Sequence, residues 1–379
     1  MKNTCNYFNL KQCQSCTHLN ERVNDYIAIK VENLKKEIGD LSEVEVRPAI
    51  FLQDPFKSRN KARLVVSGTV SQPILGIPAP EDRWQTNELL DCPLHIDGIN
   101  EVLPTIKEMI IKYSLTPYDI HKRTGELKYF IAYKSESTGE MYYRFVLRSK
   151  EALDRLKKAV GEMMVLNSSL KVVSCNIQPK PMASHEGDEE IFLTENHFVL
   201  NKMNDLWLPV STQSFFQVTS QIAEKLYYEV QQHITDSERV LDLFCGVGGF
   251  SFHVASKSQS VVGVELSSIA IECANYACEL NNSNNTQFVA EDAFTYLRNQ
   301  KGQYNTIIVN PPRRGLGEDV VRLIQDLSPE RIFYSSCNPK TFQSDRNLLK
   351  GYRLKWIRPF DMFPYSSHLE VLGEFEKIS

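Results

Sequence analysis

The sequence predicts an α/β protein whose C-terminal part forms a doubly wound, mostly parallel sheet. After about residue 205, short runs rich in Val, Ile and Leu alternate with helical segments, which is typical of such a sheet. Residues 96–204 mix strands and helices in the pattern of an α+β domain, and residues 1–95 combine a cysteine-containing segment with short β-like runs. We therefore expect three domains, 1–95, 96–204 and 205–379.

Composition limits the class of protein before any motif is considered. The 379 residues are 42% apolar and 24% charged, as in soluble globular proteins. No apolar run is long enough to span a membrane, and the N-terminus has no apolar stretch of the signal-peptide type. We expect a cytoplasmic monomer without a membrane partner. The net charge of −4 argues against nucleic acid, but the segment FKSRNKAR (56–63) carries four cations and no acid, and local patches matter more than totals.

The elements of the first 205 residues follow from hydrophobic periodicity. Apolar residues spaced along 21–40 predict a helix, and short β-like runs follow from about 45 to 80. Helices are predicted over 98–113 and 150–166. The segments KYFIAYK, MYYRFVLRS and LKVVSCNIQP predict strands.

Four early cysteines form a candidate metal site. Cys5, Cys13 and Cys16 are spaced C-x7-C-x2-C, and Cys92 follows in DCPL. A chain without a secretory signal keeps such thiols reduced. Their spacing alone allows either zinc or an iron–sulfur cluster.

The C-terminal strands end in residues suited to a nucleoside cofactor. After a helix over 220–234, the first strand runs into VLDLFCGVGGF, where Gly246 allows a tight turn. The dinucleotide fingerprint is broken because its third glycine is replaced by Ser251. The second strand ends in Glu265, which could accept ribose hydroxyls, and the third leads to Asp292 near the expected adenine. These features fit S-adenosylmethionine (SAM) better than NAD, in a class I SAM-dependent methyltransferase fold.

The fourth and fifth strands end in reactive groups. NPPRRG places Asn310 at a strand end, followed by Arg313 and Arg314, either of which could meet a phosphate or a pyrimidine. YSSCNPKT places Cys337 at the same sheet edge, where a thiolate could act as a nucleophile. Such a nucleophile is needed to methylate carbon 5 of uracil, and a base must then remove the carbon-5 proton. Glu370 and Asp361 are the candidates for this base.

NPPRRG, followed after a gap of 16 residues by IFYSSCNPKT and later by HLE, resembles the signature of the RNA uracil-5 methyltransferases. The resemblance covers nearly the whole chain. It is greatest to members that act on U747 of 23S rRNA and begin directly with the cysteine segment. It implies that Cys337 is the nucleophile and Glu370 the base, and that Gln217, Phe244, Glu265 and Asn310 contact SAM. It also implies a [4Fe–4S] cluster on the four early cysteines. Tyr365 stands where many members have histidine.

Other functions remain open at this point. Within the family, the target could instead be U1939 of 23S rRNA or a tRNA. Outside it, a non-catalytic iron–sulfur RNA-binding protein is the main alternative, while Ser251 disfavours an NAD oxidoreductase. The middle region, with Phe56, Tyr129, Tyr142 and Tyr143 among basic residues, could hold an RNA loop whose target base is flipped out.

Overall fold

A computed structural model describes residues 5–180, 186–300 and 302–378 of the chain. Its helices are α1 Asn6–Asn9, α2 Val23–Ile38, α3 Ile99–Lys112, α4 Leu153–Leu166, α5 Ser220–Gln231, α6 Gly249–Ala255, α7 Ser268–Asn281, α8 Ala293–Asn299, α9 Glu318–Leu327 and α10 Pro339–Leu348. Its strands are β1 Glu45–Val46, β2 Lys61–Gly68, β3 Pro73–Pro78, β4 Thr86–Glu88, β5 Leu127–Lys134, β6 Met141–Leu147, β7 Leu170–Ile177, β8 Glu189–Phe192, β9 Phe198–Met203, β10 Leu206–Ser211, β11 Arg239–Leu243, β12 Ser260–Glu265, β13 Thr286–Ala290, β14 Thr306–Val309, β15 Arg331–Ser336, β16 Tyr352–Phe360 and β17 Glu370–Lys377.

The predicted doubly wound sheet is confirmed. Its strand order within the described ranges is β1-β16-β17-β15-β14-β11-β12-β13. Strands β11 to β15 pair in parallel, whereas β17 runs antiparallel to both β15 and β16. The order reverses between β11 and β14, and ligands of such sheets bind at the carboxyl ends of the strands beside this reversal.

A second sheet has the order β4-β3-β2-β5-β6-β7-β8 among the residues that the structure describes. Helices α3 and α4 bury their apolar sides in its core, through residues such as Leu103, Ile106 and Leu156. All neighbouring strands of this sheet run antiparallel except β6 and β7, which are joined through α4. These elements match the predicted helices over 98–113 and 150–166 and the three predicted strands.

The chain divides into two compact units that are discontinuous in sequence. One covers residues 1–20, 55–201 and 211–213, and the other covers 21–54, 202–210 and 214–379. The chain passes from the first unit to the second for the last time after residue 213, which is near the predicted domain boundary at 204. The predicted boundary at residue 95 falls inside the first unit. Residues 21–54 belong to the unit with the large sheet because Leu34 and Ile38 of α2 are buried in its core. Periodicity predicted this helix but cannot say which core it joins.

Burial corrects the expectation that Tyr142 and Tyr143 could meet RNA. Tyr142 is 0% exposed and Tyr143 is 2% exposed, so neither ring can stack on a base. Arg144 is 3% exposed and is paired with Glu190 and Glu186. The sheet buries these side chains because β6 is an interior strand between β5 and β7. None of the helices in the described ranges has the length and apolar character needed to cross a membrane.

Candidate active site

The carboxyl ends of the parallel strands open onto a cavity of about 700 Å³. Its lining includes every residue predicted for the SAM site, together with the predicted nucleophile and one of the two candidate bases: Gln217, Phe244, Gly246, Glu265, Asp292, Asn310, Cys337 and Glu370. The strand ends converge because β11 to β15 run in parallel. The structure thus brings the predicted residues to one place, and their individual roles remain predictions.

A tight turn after β11 forms one wall of the cavity. Phe244 and Gly246 have positive φ values of 62° and 56°, a region that non-glycine residues seldom adopt. The turn lets the Gly246 N–H reach Glu265 Oε2 at 3.3 Å, while the Ser267 N–H donates to Glu265 Oε1 at 2.9 Å. These two bonds fix the carboxylate at the end of β12, where its remaining lone pairs can accept hydroxyl groups.

Asp292 combines a place in the cavity wall with a structural task. It is the N-cap of α8, and its Oδ1 accepts the Thr295 N–H at 2.9 Å. Such capping stabilises a helix start by about 1 kcal/mol. Substitution of Asp292 would therefore disturb α8 as well as the cavity.

Cys337 lies half-buried between a carboxylate and a guanidinium group. Burial raises the pKa of the Cys337 thiol, and the charge of Glu370 adds to the rise. Arg313 opposes it, through its charge and through a hydrogen bond to the sulfur. Arg313 is thus the cation that favours the thiolate, while the choice between Arg313 and Arg314 for a phosphate or a pyrimidine stays a prediction.

Glu370 begins β17 and is 3% exposed. Burial raises its pKa from 4.5 to about 7, although a hydrogen bond from Ser335 favours the ionised form. A carboxyl group with such a pKa can accept a proton near neutral pH. The sequence did not single out Ser335, because its orientation toward Glu370 depends on the pairing of β15 with β17.

Two polar side chains that sequence reasoning missed hold the NPPRRG loop in place. Asn338 Nδ2 donates to the Arg313 carbonyl at 2.8 Å, and Asn338 Oδ1 also caps α10. Asp345, which is 3% exposed, accepts the Leu316 N–H at 2.7 Å and the Tyr334 hydroxyl at 2.6 Å. The Asn-Pro pair after Cys337 is a sequence signal for the start of helix α10, with Asn338 as its N-cap. No sequence pattern pointed to Asp345.

Asp361, the alternative base, is occupied elsewhere. It is 0% exposed, and its oxygens accept Lys30 Nζ at 2.7 Å and the Tyr26 hydroxyl at 2.9 Å. Lys30 Nζ also donates to the carbonyls of Phe363 and His368, each at 3.0 Å. Asp361 and Lys30 thereby anchor the segment between β16 and β17, while Glu370 lines the cavity.

Apolar side chains complete the cavity, and the sequence analysis did not select them. Phe215, Leu266, Phe294 and Phe363 all line it. Phe215 is 66% exposed and Leu266 is 72% exposed. Large apolar groups left so open beside a polar site suit a planar ligand or a nucleobase. Phe215 lies two residues before Gln217, and this closeness in sequence was the available signal that Phe215 would line the cavity.

The early cysteines interact electrostatically in the first unit. Burial raises the pKa of Cys16 to about 12, and Cys92, Cys13 and Cys5 contribute to the rise, whereas Arg59 opposes it. Over residues 5–180, 186–300 and 302–378, no three His, Cys, Asp or Glu side chains have the geometry to hold a single metal ion.

Comparison with protein families matches residues 188–376 to the family described as tRNA (Uracil-5-)-methyltransferase. Among curated proteins, the chain is 38% identical over 376 residues to the 23S rRNA (uracil(747)-C(5))-methyltransferase RlmC of Shewanella sp. (strain MR-7), covering 97% of each chain. It is 37% identical to the enzyme of the same name from Shewanella loihica, covering 99% of each.

A solved structure has a similar fold. The crystal structure of Pyrococcus abyssi tRNA (uracil-54, C5)-methyltransferase in complex with S-adenosyl-L-homocysteine superimposes with a TM-score of 0.78 at 26% identity. The match covers 96% of this chain and 86% of that one. That enzyme binds the product form of SAM.

Proposed function

This chain belongs to the RNA uracil-5 methyltransferases, and we propose that it transfers a methyl group from SAM to carbon 5 of U747 in 23S rRNA. The carrying observation is that Cys337 and Glu370 line one cavity together with the residues expected to bind SAM. The names of the 37–38% identical relatives support the choice of nucleotide.

Cys337 begins the reaction. Carbon 5 of uracil is a poor nucleophile until the thiolate adds to carbon 6, which shifts an electron pair through the ring to oxygen 4. The charge of Arg313 opposes the rise in the pKa of the thiol and so favours the thiolate. The half-buried position of the sulfur leaves a face open for a flipped-out base.

Glu370 ends the reaction. When bound, SAM supplies the electrophilic methyl group that carbon 5 accepts. Glu370 then removes the carbon-5 proton, the ring double bond re-forms and the bond between sulfur and carbon 6 breaks. Its raised pKa of about 7 makes it a stronger base than an ordinary carboxylate.

The cavity wall fits SAM in chemical terms. Glu265 is fixed by two backbone N–H groups and retains lone pairs for ribose hydroxyls. Asn310 and Gln217 offer amide groups in the lining, and Phe244 offers an aromatic face. Asp292 would lie toward the adenine end. These residues would hold the cofactor.

Methyl transfer can be tested with labelled SAM and unmodified RNA. We expect label in a 23S rRNA fragment that contains U747 and none in the same fragment with cytidine at this position. Transfer to tRNA or to a U1939 fragment would establish another specificity within the family. SAM binding without transfer to any of these RNAs would favour a non-catalytic RNA-binding protein.

The four cysteines support a second cofactor, and the cluster proposed for them is [4Fe–4S]. Cys5, Cys13 and Cys92 add to the rise in the pKa of Cys16, Cys5 and Cys13 add to that of Cys92, and the cation Arg59 opposes both. Each thiolate of such a cluster binds a different iron, so the four need not converge on one ion. The cluster would fasten residues 5–16 to the segment around Cys92. An rRNA substrate would place the protein in the cytoplasm, and we propose that it acts there as a monomer.

A further inference from the structure

A second cavity, of about 250 Å³, lies in the unit with the seven-stranded sheet. It is bounded by β2, the loop before β4, the loop before β5 and the start of β5. Four ring-bearing side chains line it: Trp84, Tyr118, His121 and Tyr129. Its volume suits a single planar ring system and is too small for an RNA helix.

Two turns hold the outer rings of this aromatic pocket in place. Asp82 Oδ1 accepts the Trp84 N–H at 2.9 Å, and Asp119 Oδ1 accepts the His121 N–H at 2.9 Å. Trp84 and His121 meet edge to face with ring centroids 6.3 Å apart. Trp84 nevertheless remains 41% exposed. The hydrogen bond to the Trp84 backbone fixes the position of this residue, while its indole ring stays open to solvent. Such a ring is preorganised to bind a flat ligand.

The charges around the pocket favour a ligand that carries phosphate. The guanidinium of Arg83 lies 4.7 Å from the Trp84 ring centroid, and Arg63 is close enough to Tyr129 to lower its pKa, against the larger effect of burial. The acid Asp119 is engaged by backbone N–H groups and by Lys122 Nζ at 3.3 Å. Cations beside open aromatic rings are the pattern of single-stranded RNA sites, where rings stack on bases and cations meet the backbone.

We propose that this pocket binds one nucleobase of a single-stranded segment of the substrate RNA, by stacking on Trp84. The proposal rests on the proposed function, because that function makes RNA the partner. Every base offers a π-face, so the pocket adds affinity with little dependence on sequence. It is a second RNA contact, separate from the cavity that holds Cys337.

The test measures binding of a labelled 23S rRNA fragment with an unpaired segment. Trp84→Ala should weaken the binding about tenfold or more, as expected for the loss of one stacked base. Trp84→Phe should restore most of the affinity. Ile111→Ala, which truncates another exposed apolar residue of the same unit, should bind like wild type. Trp84→Ala should also leave SAM affinity unchanged and raise KM for RNA without changing kcat.

A second measurement covers the case in which Trp84→Ala does not fold. In the Trp207→Phe variant, Trp84 is the exposed indole and Trp356 is fully buried. Single-stranded RNA should quench its fluorescence, whereas a proline-rich peptide should not. Unchanged RNA affinity of folded Trp84→Ala, or the absence of quenching by RNA, would overturn the proposal. Trp84-dependent binding without methyl transfer would instead contradict the proposed function and leave the pocket standing.

Discussion

Ser335 Oγ donates a hydrogen bond of 2.5 Å to Glu370 Oε1 across the antiparallel pair β15 and β17. The serine precedes Cys337 by two residues on the same strand end. One short stretch of chain thus carries both the candidate nucleophile and the donor that orients the candidate base. Although this bond favours the ionised carboxylate, burial still raises the pKa of Glu370 to about 7.

The raised pKa of Glu370 implies a pH-dependent cost in stability. At Glu370 the native state binds the proton more tightly than the unfolded state, so the contribution of this group to stability is fully present below about pH 4.5 and is lost as pH rises through 7. Glu370→Gln should therefore raise the free energy of unfolding by up to about 3 kcal/mol at pH 8 and much less at pH 5. Urea denaturation at both values measures this. Glu376→Gln should show no such gain, since hydrogen bonds from Arg353 and Lys355 lower the pKa of Glu376.

Variants of the two candidate catalytic residues should stop the methyl-transfer reaction at different stages. Cys337→Ala should abolish both methylation and any covalent RNA adduct, since no bond to carbon 6 can form. Glu370→Gln should add the thiol and transfer the methyl group, then stall with RNA attached. A denaturing gel would show this as a shifted protein band. Cys278→Ala, which removes another partly buried thiol, should remain active. Full turnover by Glu370→Gln would contradict its assignment as the base.

Glu265→Ala tests whether the Glu265 carboxylate binds SAM. The change removes a hydroxyl acceptor and leaves the N–H groups of Gly246 and Ser267 without their partner. We expect SAM affinity to fall roughly ten- to a hundredfold, corresponding to about 1–3 kcal/mol. Calorimetric titration measures it, with Asp236→Ala as the exposed acidic control. Equal affinities for the two variants would remove Glu265 from the site.

Lys30→Met tests the buried ion pair with Asp361. Both side chains are almost fully buried, at 1% and 0% exposure, so the change leaves an uncompensated charge. We expect a loss of about 3–5 kcal/mol in the free energy of unfolding. Adding Asp361→Leu should recover much of it, because an apolar pair needs no partner. Lys35→Met on the same helix breaks only an exposed pair and should change stability by less than about 1 kcal/mol.

The cluster makes a chemical prediction. Protein purified without oxygen should be brown and contain about four irons per chain. Replacing Cys16 by serine should lower the iron content and bleach the colour. Stoichiometric zinc in a colourless protein would identify a different metal site on the same thiols.

The candidate catalytic cavity could be predicted because its parts lie at strand ends. Parallel strands end at one sheet edge, so Glu265, Asn310 and Cys337 could be placed together from hydrophobic runs alone. The helix predicted over 220–234 is observed as Ser220–Gln231 for a similar reason, namely strong local periodicity.

What the sequence could not show depends on contacts between distant segments. Lys30 meets Asp361 across 331 positions, and no local pattern encodes such a pair. Asp345 holds the NPPRRG loop from helix α10, and the interior position of β6 buries Tyr142 and Tyr143, two of the tyrosines named as possible RNA contacts. Trp84 and His121 become neighbours only when two separate loops have folded.

Residues 21–54 belong to the larger unit, and this affects the order in which the chain can fold during its synthesis. Strand β1 pairs with β16, and Lys30 pairs with Asp361. These residues therefore find their partners only after a much later part of the chain has been made. Until α10 (Pro339–Leu348) has also been made, the apolar side of α2 lacks the helix on which it packs. We infer that the large sheet closes only after β16 and β17 have left the ribosomal tunnel, whereas most of the smaller unit can form during translation. A nascent chain stopped before residue 339 would therefore expose the apolar residues Leu34 and Ile38 of α2.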